Sequence, residues 1–87
     1  MANVILRAPL SELAGGRRHV AAGATVDAVL AALERSRPSL AGWILDEQGR
    51  VRRHINVYVN GELAAEGGTV EDGDDMYVVP AITGGAE

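Results

Sequence analysis

Apolar and polar residues alternate in short blocks along this chain, and the clearest block predicts an α-helix. Thr25 is a suitable N-cap, and Asp27 lies in the first turn, where negative charge is favoured. Pro38 is expected to end the helix, which we therefore place at residues 25–36. Its apolar stripe, at helical spacing, consists of Val26, Val29, Leu30 and Leu33.

The remaining apolar runs predict strands. We expect strands over residues 2–8, 17–22, 50–60 and 76–80, with a short edge strand within 62–69. Gly15-Gly16 predicts a turn between the first two strands, and Asn60-Gly61 a tight turn after the third. The fold class is α+β, with a mixed sheet of four to five strands packed on one main helix. The helix is expected to cover the sheet face that carries Ile55, Val57, Val59, Met76 and Val78.

Residues 39–49 show no clear period. Leu40, Trp43, Ile44 and Leu45 are expected to pack under the sheet, and residues 46–49 (DEQG) predict a turn. Trp43 has two interpretations, a stacking platform for a ligand or a partly buried core residue. The second is the commoner role of a lone Trp, and we favour it.

Size and charge narrow the function. The 87 residues suit one domain, predicted as residues 1–80, followed by a flexible tail at 81–87. The net charge is −4, which disfavours nucleic acid as a partner. A basic group, residues 17–19 with 50–54, is interpreted as a solvated strand face. Without Cys, a signal-like start or an apolar span, the chain is expected to be cytoplasmic and not membrane-bound.

The predicted body offers no catalytic residue. His19 and His54 lie among Arg residues on predicted strands, which disfavours a buried general base. Asp72, Asp74 and Asp75 weakly resemble a cation loop but lack the ligand set of a calcium site, so we favour a solvated turn. We therefore expect no metal and no bound cofactor, and the chemistry must come from the tail.

The tail ends in a diglycine followed by two further residues. From Ala81 to Gly85 it spans at most about 17 Å when extended, which carries the Gly85 carboxyl clear of the body. Gly84, after Ile82 and Thr83, has no side chain and suits threading into a narrow channel. By the dipeptide alone, a frayed terminus is the commoner interpretation.

Longer stretches resemble a known family. The residues HINVYVNGE (54–62) and VEDGDDMYVVPAITGG (70–85) resemble the ubiquitin-like sulfur carriers of thiamine and molybdopterin biosynthesis. The stretches GGRRHVAAGATVDAVLAALE (15–34) and GRVRRHINVYVN (49–60) are most similar to the carrier of actinobacterial cysteine biosynthesis. The resemblance covers essentially the whole chain and implies a ubiquitin-like β-grasp fold.

The resemblance also implies a mechanism. An E1-like enzyme uses ATP to adenylate the C-terminal Gly carboxylate, here Gly85, and a sulfur donor converts the adenylate to a thiocarboxylate. A sulfur-accepting synthase then consumes it. Carriers of this family usually end at the second Gly, whereas here Ala86 and Glu87 follow. Some relatives lose such an extension to a zinc-dependent JAMM-type protease, so cleavage between Gly85 and Ala86 is expected, and the free carrier is expected to be a monomer.

Strand alternation predicts a docking surface. Tyr58, Tyr77 and Val79 are expected to face away from the helix on neighbouring strands, and by analogy with ubiquitin this is the face that partners recognise. The alternative, that the tyrosines merely cover the sheet, is given equal weight. The acidic residues 72–75 are expected to steer a basic partner.

Two further functions stay open at this point. One is a protein modifier conjugated through Gly85 to lysines of target proteins, which would share the activation chemistry. The chain has no Lys and cannot form Lys-linked polymers of itself, which weakly favours the carrier. The other is a non-enzymatic interaction domain in which the diglycine is incidental.

Overall fold

Five strands and two α-helices form within residues 1–65 and 67–80, which are the residues that this computed structural model describes. In chain order they are β1 (Ala2–Leu6), α1 (Leu10–Ala14), β2 (Arg18–Ala21), α2 (Val26–Ser36), β3 (Ile55–Val59), β4 (Glu62–Leu63) and β5 (Asp75–Pro80). A 3₁₀ turn, Pro38–Leu40, follows α2. No helix in this part of the chain is long and apolar enough to cross a membrane.

The strands form one mixed sheet in the order β2-β1-β5-β3-β4. The two central strands, β1 and β5, are parallel, and every other pair is antiparallel. The prediction of a mixed sheet of four to five strands is therefore confirmed. Since β1 and β5 lie near opposite ends of the sequence, their pairing joins the two ends of the chain in the middle of the sheet.

Helix α2 begins and ends where its local sequence predicts. The Thr25 hydroxyl oxygen accepts a hydrogen bond from the Ala28 N–H at 3.2 Å, which satisfies one of the unpaired donors of the first turn. Arg35 lies in the last turn, where a positive charge is favoured, and Pro38 comes just beyond the C-cap. The four residues of the predicted stripe are all buried, namely Val26, Val29, Leu30 and Leu33.

The helix stripe packs on the inner face of the sheet, which we define as the face turned toward α2. Alternate residues of each strand contribute to it, as the pleat requires. Of the face predicted from sequence, Val59 is only partly buried, and the others are buried, namely Ile55, Val57, Met76 and Val78. Burying this apolar surface is the main stabilising contribution for a domain this small.

One element was not predicted. The link between the first two strands, expected to be a turn at Gly15-Gly16, contains the short helix α1 before that turn. Leu10 and Ala14 are buried one helical turn apart, and Gly15 ends the helix in the left-handed conformation with φ 78°. The packing of these two apolar residues onto the core supports a helix too short to be stable alone.

The segment before β3 also differs from the prediction. A strand was expected from residue 50, but β3 begins only at Ile55. Val51 instead forms a bridge with Leu45, and the Arg52 N–H donates to the Ile44 carbonyl at 2.9 Å. Residues 51 and 52 therefore form a local hairpin with residues 44 and 45 and do not extend β3.

Trp43 does not pack under the sheet as expected, because 46% of its surface is exposed. Its neighbours in the same segment, Leu40, Ile44 and Leu45, are buried as predicted. The Glu34 carboxylate accepts hydrogen bonds from the Ile44 and Leu45 N–H groups at 3.2 and 3.0 Å. This anchor turns the two apolar side chains inward and leaves Trp43 at the surface.

Candidate partner-binding face and tail root

A row of side chains crosses all five strands on the outer face of the sheet, the face turned away from α2. Strand register fixes the row. Ile5 of β1 pairs with Arg18 of β2 and with Tyr77 of β5, Tyr77 pairs with Tyr58 of β3, and Tyr58 pairs with Leu63 of β4. Register partners lie on the same face of a sheet, so these five residues form one continuous surface, which we call the outer row.

The outer row is partly apolar and partly open to solvent. Leu63 is 64% exposed and Tyr77 is 41% exposed, whereas Tyr58 is half-buried and Ile5 is buried between its neighbours. The prediction that Tyr58, Tyr77 and Val79 face away from the helix on adjacent strands agrees with this register, since Val79 follows Tyr77 by two positions. Two cross-strand tyrosines with apolar neighbours offer rigid contact area to a partner.

The outer row lies close to the tail root, which is Pro80, the last residue of β5. Pro80 pairs with Ile55 at the first position of β3. Tyr77 precedes Pro80 by three residues, or about 10 Å along a strand. A partner that takes up the tail from Pro80 onward therefore meets the tyrosine surface at the same time.

The predicted tail residues lie outside the described part of the chain. These are Ile82, Thr83, Gly84, Gly85 and Ala86, together with Glu87. Their threading, activation and cleavage remain predictions. The residue that precedes them is Pro80, which pairs with Ile55 of β3.

Three members of the outer row, namely Ile5, Arg18 and Leu63, were not predicted from the sequence. Ile5 lies in a continuous apolar run, where it cannot be told from its core neighbours Val4 and Leu6 by pattern alone. Arg18 and Leu63 join the row only through pairing register, which needs the sheet order. The polar residue Asn3, two positions before Ile5 and so on the same face of β1, was the available sequence signal.

The acidic turn, which we define as residues 71–75, lies at the opposite end of the sheet from the tail root, and its aspartate carboxylates accept hydrogen bonds. Asp74 accepts from the Glu71 N–H at 2.9 Å and from the Asn60 amide at 3.0 Å. Asp72 accepts from the N-terminal ammonium of Met1 at 2.6 Å. Asn60 itself has φ 52° in the predicted tight turn, and its side-chain oxygen accepts from the Asp75 N–H. Side chains thus tie the acidic turn to the β3–β4 turn.

These hydrogen bonds make the stability that the acidic turn contributes to the fold depend on pH. The Glu71 N–H, with the Asn60 amide, lowers the pKa of Asp74 below its usual value of 3.8, and the N-terminal ammonium lowers the pKa of Asp72. A depressed carboxyl pKa means that the unfolded chain takes up protons first. The associated stability is therefore present above about pH 4 and is lost as the pH falls through the folded-state pKa values.

We expect the urea concentration at the midpoint of unfolding to decrease as the pH is lowered from about 5 to about 2. Measurements on the wild-type chain at intervals of about one pH unit check this decrease. Asp74→Asn removes one of the shifted groups and should flatten this decline. Glu47→Gln, which removes an exposed carboxylate outside the acidic turn, is the matched control. Equal flattening by both variants would contradict a specific role for Asp74.

The two parts of the predicted basic group lie on different sides of the tail root. Arg17 and Arg18 lie at the β2 edge, whereas Arg50–His54 precede β3, and strands β1 and β5 separate them. Arg52 donates from Nε to the Gly42 carbonyl at 2.7 Å and so holds the loop below β3. The described residues contain no group of three or more His, Asp or Glu placed to hold a metal ion.

The sheet order and the crossing helix define the class of this molecule, a ubiquitin-like β-grasp protein whose last described strand, β5, lies in the middle of the sheet. The particular family follows from comparison with known proteins. The model of the ThiS family matches residues 4–85, and the chain belongs to this family of ubiquitin-like sulfur carriers. The fold and family implied by the sequence resemblance are thus confirmed.

The relatives of this chain include proteins named as modifiers and proteins named as sulfur carriers. The chain is 39% identical over 83 residues to the small archaeal modifier protein 1 of Haloferax volcanii, covering 92% of this chain and 95% of that protein. It is 35% identical over 78 residues to the sulfur carrier protein CysO of Mycobacterium tuberculosis, covering 82% and 84%.

Solved structures of these proteins share the fold closely. The crystal structure of the H. volcanii protein superposes with a TM-score of 0.81 at 36% identity, covering 94% of this chain and 96% of that one. The CysO of Amycolatopsis orientalis, solved in complex with BexX, gives a TM-score of 0.82 at 29% identity, with coverage of 94% and 97%.

Proposed function

We propose that this protein carries sulfur as a thiocarboxylate on Gly85, formed after Ala86 and Glu87 have been removed. The observation that supports this most directly is the family match, which runs to residue 85 and stops on the second glycine of the tail. In this proposal the body of the protein provides a docking surface for partners, and the tail provides the reacting group. The protein is then a co-substrate of sulfur-transfer enzymes.

The first step of the proposed mechanism is release of the carboxyl group. In the full chain the Gly85 carbonyl belongs to the peptide bond with Ala86. Water, delivered by a zinc-dependent JAMM-type protease, cleaves this bond, and the Ala86-Glu87 dipeptide leaves. The new Gly85 carboxylate is the working group.

The second step is activation by an E1-like enzyme. A carboxylate oxygen of Gly85 attacks the α-phosphorus of ATP, pyrophosphate leaves, and an acyl adenylate forms. A sulfide sulfur from the donor then attacks the Gly85 carbonyl carbon and displaces AMP, which retains the former carboxylate oxygen. ATP and the sulfur donor are used by the partner enzyme, and the carrier binds neither in this scheme.

The third step is delivery of the sulfur. The thiocarboxylate sulfur is a nucleophile that a synthase directs at an activated acceptor, where it displaces the acceptor's leaving group and forms a Gly85 thioester. Hydrolysis of this thioester then releases the sulfur-bearing product and restores the Gly85 carboxylate. An activated serine, giving cysteine, is the first acceptor to test, because the chain is 35% identical to the sulfur carrier protein CysO of Mycobacterium tuberculosis. Thiosugar, thiamine and molybdopterin synthesis are the other acceptors, and the neighbouring genes would separate them.

The outer row, together with Val79, is the proposed contact surface for the E1-like enzyme. Tyr58 and Tyr77 lie about 10 Å or less along the strands from the tail root, so one partner surface spans both. Uptake of the tail and contact with the tyrosines then position the Gly85 carboxylate together.

Mass spectrometry of the chain ending at Gly85 tests this function. After incubation with ATP, a sulfide donor and its E1-like enzyme, we expect the mass to rise by the difference between sulfur and oxygen. Omission of ATP is the control. No mass change, with the enzyme shown to be active on a known carrier, would contradict the proposal.

Similarity to the archaeal modifier protein supports conjugation to target proteins as the second candidate function. In that case the activated Gly85 carbonyl is attacked by a lysine amine of another protein. Tagged chain recovered from cells separates the two. Stable high-mass adducts, resistant to thiol reductants, would support the modifier, and free thiocarboxylate the carrier.

A further inference from the structure

The end of the sheet that carries the tail root is rich in arginine. Arg7 follows β1, and its N–H donates to the Val78 carbonyl at 3.3 Å. The Arg17 carbonyl accepts from the Leu6 N–H at 2.7 Å, and Arg18 pairs with Ile5 in the outer row. Arg7, Arg17 and Arg18 are all exposed, and we call them the basic rim.

The other end of the sheet is acidic. Its charged side chains belong to the acidic turn and to the start of β4, and they are Glu62, Glu71, Asp72, Asp74 and Asp75. Strand β5, from Asp75 to Pro80, separates the two ends by about 17 Å. Glu12 in α1 is an acidic residue on the basic side. The sheet therefore carries a charge gradient, positive where the tail leaves and negative where the chain begins.

The basic rim opens onto a concavity in the outer face. A hollow of about 470 Å³ is lined by Ile5, Arg17, Arg18 and Tyr77. Neither arginine of the hollow forms an ion pair with a carboxylate in the described part of the chain. Two exposed guanidinium groups next to an aromatic ring form a good binding environment for carboxylate side chains, which arginine binds in bidentate geometry.

We propose that this hollow receives an acidic segment of the enzyme that activates the tail, and that the segment lies at the rim of the enzyme's tail channel. The inference rests on the proposed function and adds the charge of the partner surface and the residues that meet it. Charge complementarity selects the occupant, because the hollow offers two arginine cations and an apolar wall formed by Ile5 and Tyr77. The acidic turn, with its aspartate carboxylates already hydrogen-bonded, lies at the far end.

The charge gradient also gives the encounter a direction. A partner with an acidic channel rim attracts the basic rim and repels the acidic end, so the tail root arrives first. This orientation raises the association rate constant, which electrostatic steering changes more than it changes dissociation. A basic partner surface would instead attract the acidic end of the sheet, and the tail root would then face away from the partner.

Stopped-flow association of the chain ending at Gly85 with its E1-like enzyme tests the inference. We expect the double variant Arg17→Glu/Arg18→Glu to associate at least about 10-fold more slowly at low ionic strength. The wild-type rate constant should fall steeply with added salt, and the variant should lose most of this dependence. Arg17→Gln/Arg18→Gln should give a smaller loss of the same sign.

The matched control is Arg35→Glu/Arg37→Glu, which makes the same change in net charge at the far end of α2, away from the outer face. We expect this control to change the rate constant by less than about twofold. Equal slowing by both double variants, or faster association of the basic-rim variant, would overturn the inference. So would a larger loss on neutralising Asp72 and Asp75 by Asn. Circular dichroism checks that each variant is folded.

Failure of this inference is distinguishable from failure of the proposed function. Thiocarboxylate formation by the wild-type chain is measured in the same reactions. If it forms while association is insensitive to Arg17 and Arg18, the carrier function stands and the acidic partner segment does not. If it never forms, the proposed function fails first.

Discussion

A chain that ends at Gly85 should be converted to the thiocarboxylate, whereas the full 87-residue chain should be inert in the same reaction. In the full chain the Gly85 carbonyl is an amide and has no carboxylate oxygen to attack ATP. The carboxylate of Glu87 follows two residues later along the chain, a stretch that spans at most about 7 Å when extended. Since misplacement of a reacting group by about 1 Å can cost about 100-fold in rate, we expect no measurable adenylation of the full chain.

Treatment of the full chain with a JAMM-type zinc protease should restore the reaction. Mass spectrometry should show loss of the last two residues before any gain of sulfur, and a zinc chelator should block both changes. A chain ending at Gly84 is the matched control for length and should fail like the full chain. Direct adenylation of the 87-residue chain would show that the extension is no barrier and would contradict this prediction.

Replacement of Tyr77 by Ala should weaken binding to the E1-like enzyme by about 2 kcal/mol, or about 30-fold, which is typical of an aromatic interface anchor. Tyr77 is 41% exposed at the centre of the outer row, so its removal takes contact area from the partner and leaves the core intact. Tyr58→Ala removes the cross-strand neighbour of Tyr77 and should weaken binding less, because Tyr58 is half-buried. Isothermal titration calorimetry of the chain ending at Gly85 measures both.

Two variants make this experiment specific. Tyr77→Phe keeps the ring and should bind nearly as the wild type does. Trp43→Ala removes another exposed aromatic side chain, 46% exposed but outside the outer row, and should leave the affinity unchanged. If Tyr77→Ala and Trp43→Ala bind alike, or if the tyrosine variants bind as the wild type does, the tyrosines only cover the sheet. Urea denaturation checks that the losses are not caused by unfolding.

The basic rim and the tyrosines would act on different parts of the same encounter. Arginines at the β2 edge change how fast the partner arrives, since their field extends over about 10 Å at moderate salt. The tyrosines change how long the partner stays, since they act only in contact. Measuring the association and dissociation rate constants of each variant separates the contribution of the arginines from that of the tyrosines.

Elements with short-range signals were predicted well. Helix α2 follows from Thr25, the apolar stripe and Pro38, all within a few residues of one another. The tight turn at Asn60-Gly61 follows from two residues that accept positive φ, here 52° and 89°. The likeness of the acidic turn and the tail to sulfur carriers indicates the family from the residues alone.

Elements that depend on contacts with residues distant in sequence were not predicted correctly. Helix α1 is supported by the burial of Leu10 and Ala14 against the core, and its sequence alone indicated a turn. Residues 50–54 leave the predicted strand because Val51 pairs with Leu45. Trp43 is turned outward where the Glu34 carboxylate fixes the backbone of the residues that follow it.

The sequence by itself determined the helix, the strand periods, the family and the tail that carries the proposed chemistry, because each of these is encoded in adjacent residues. Only the tertiary structure decided what surrounds the tail root. The parallel pairing of β1 with β5 brings together residues such as Asn3 and Asp75, which are 72 positions apart. That pairing aligns Arg18, Ile5 and Tyr77 into one surface. No local pattern specifies such a register, since it is fixed by the common burial of both strands against α2.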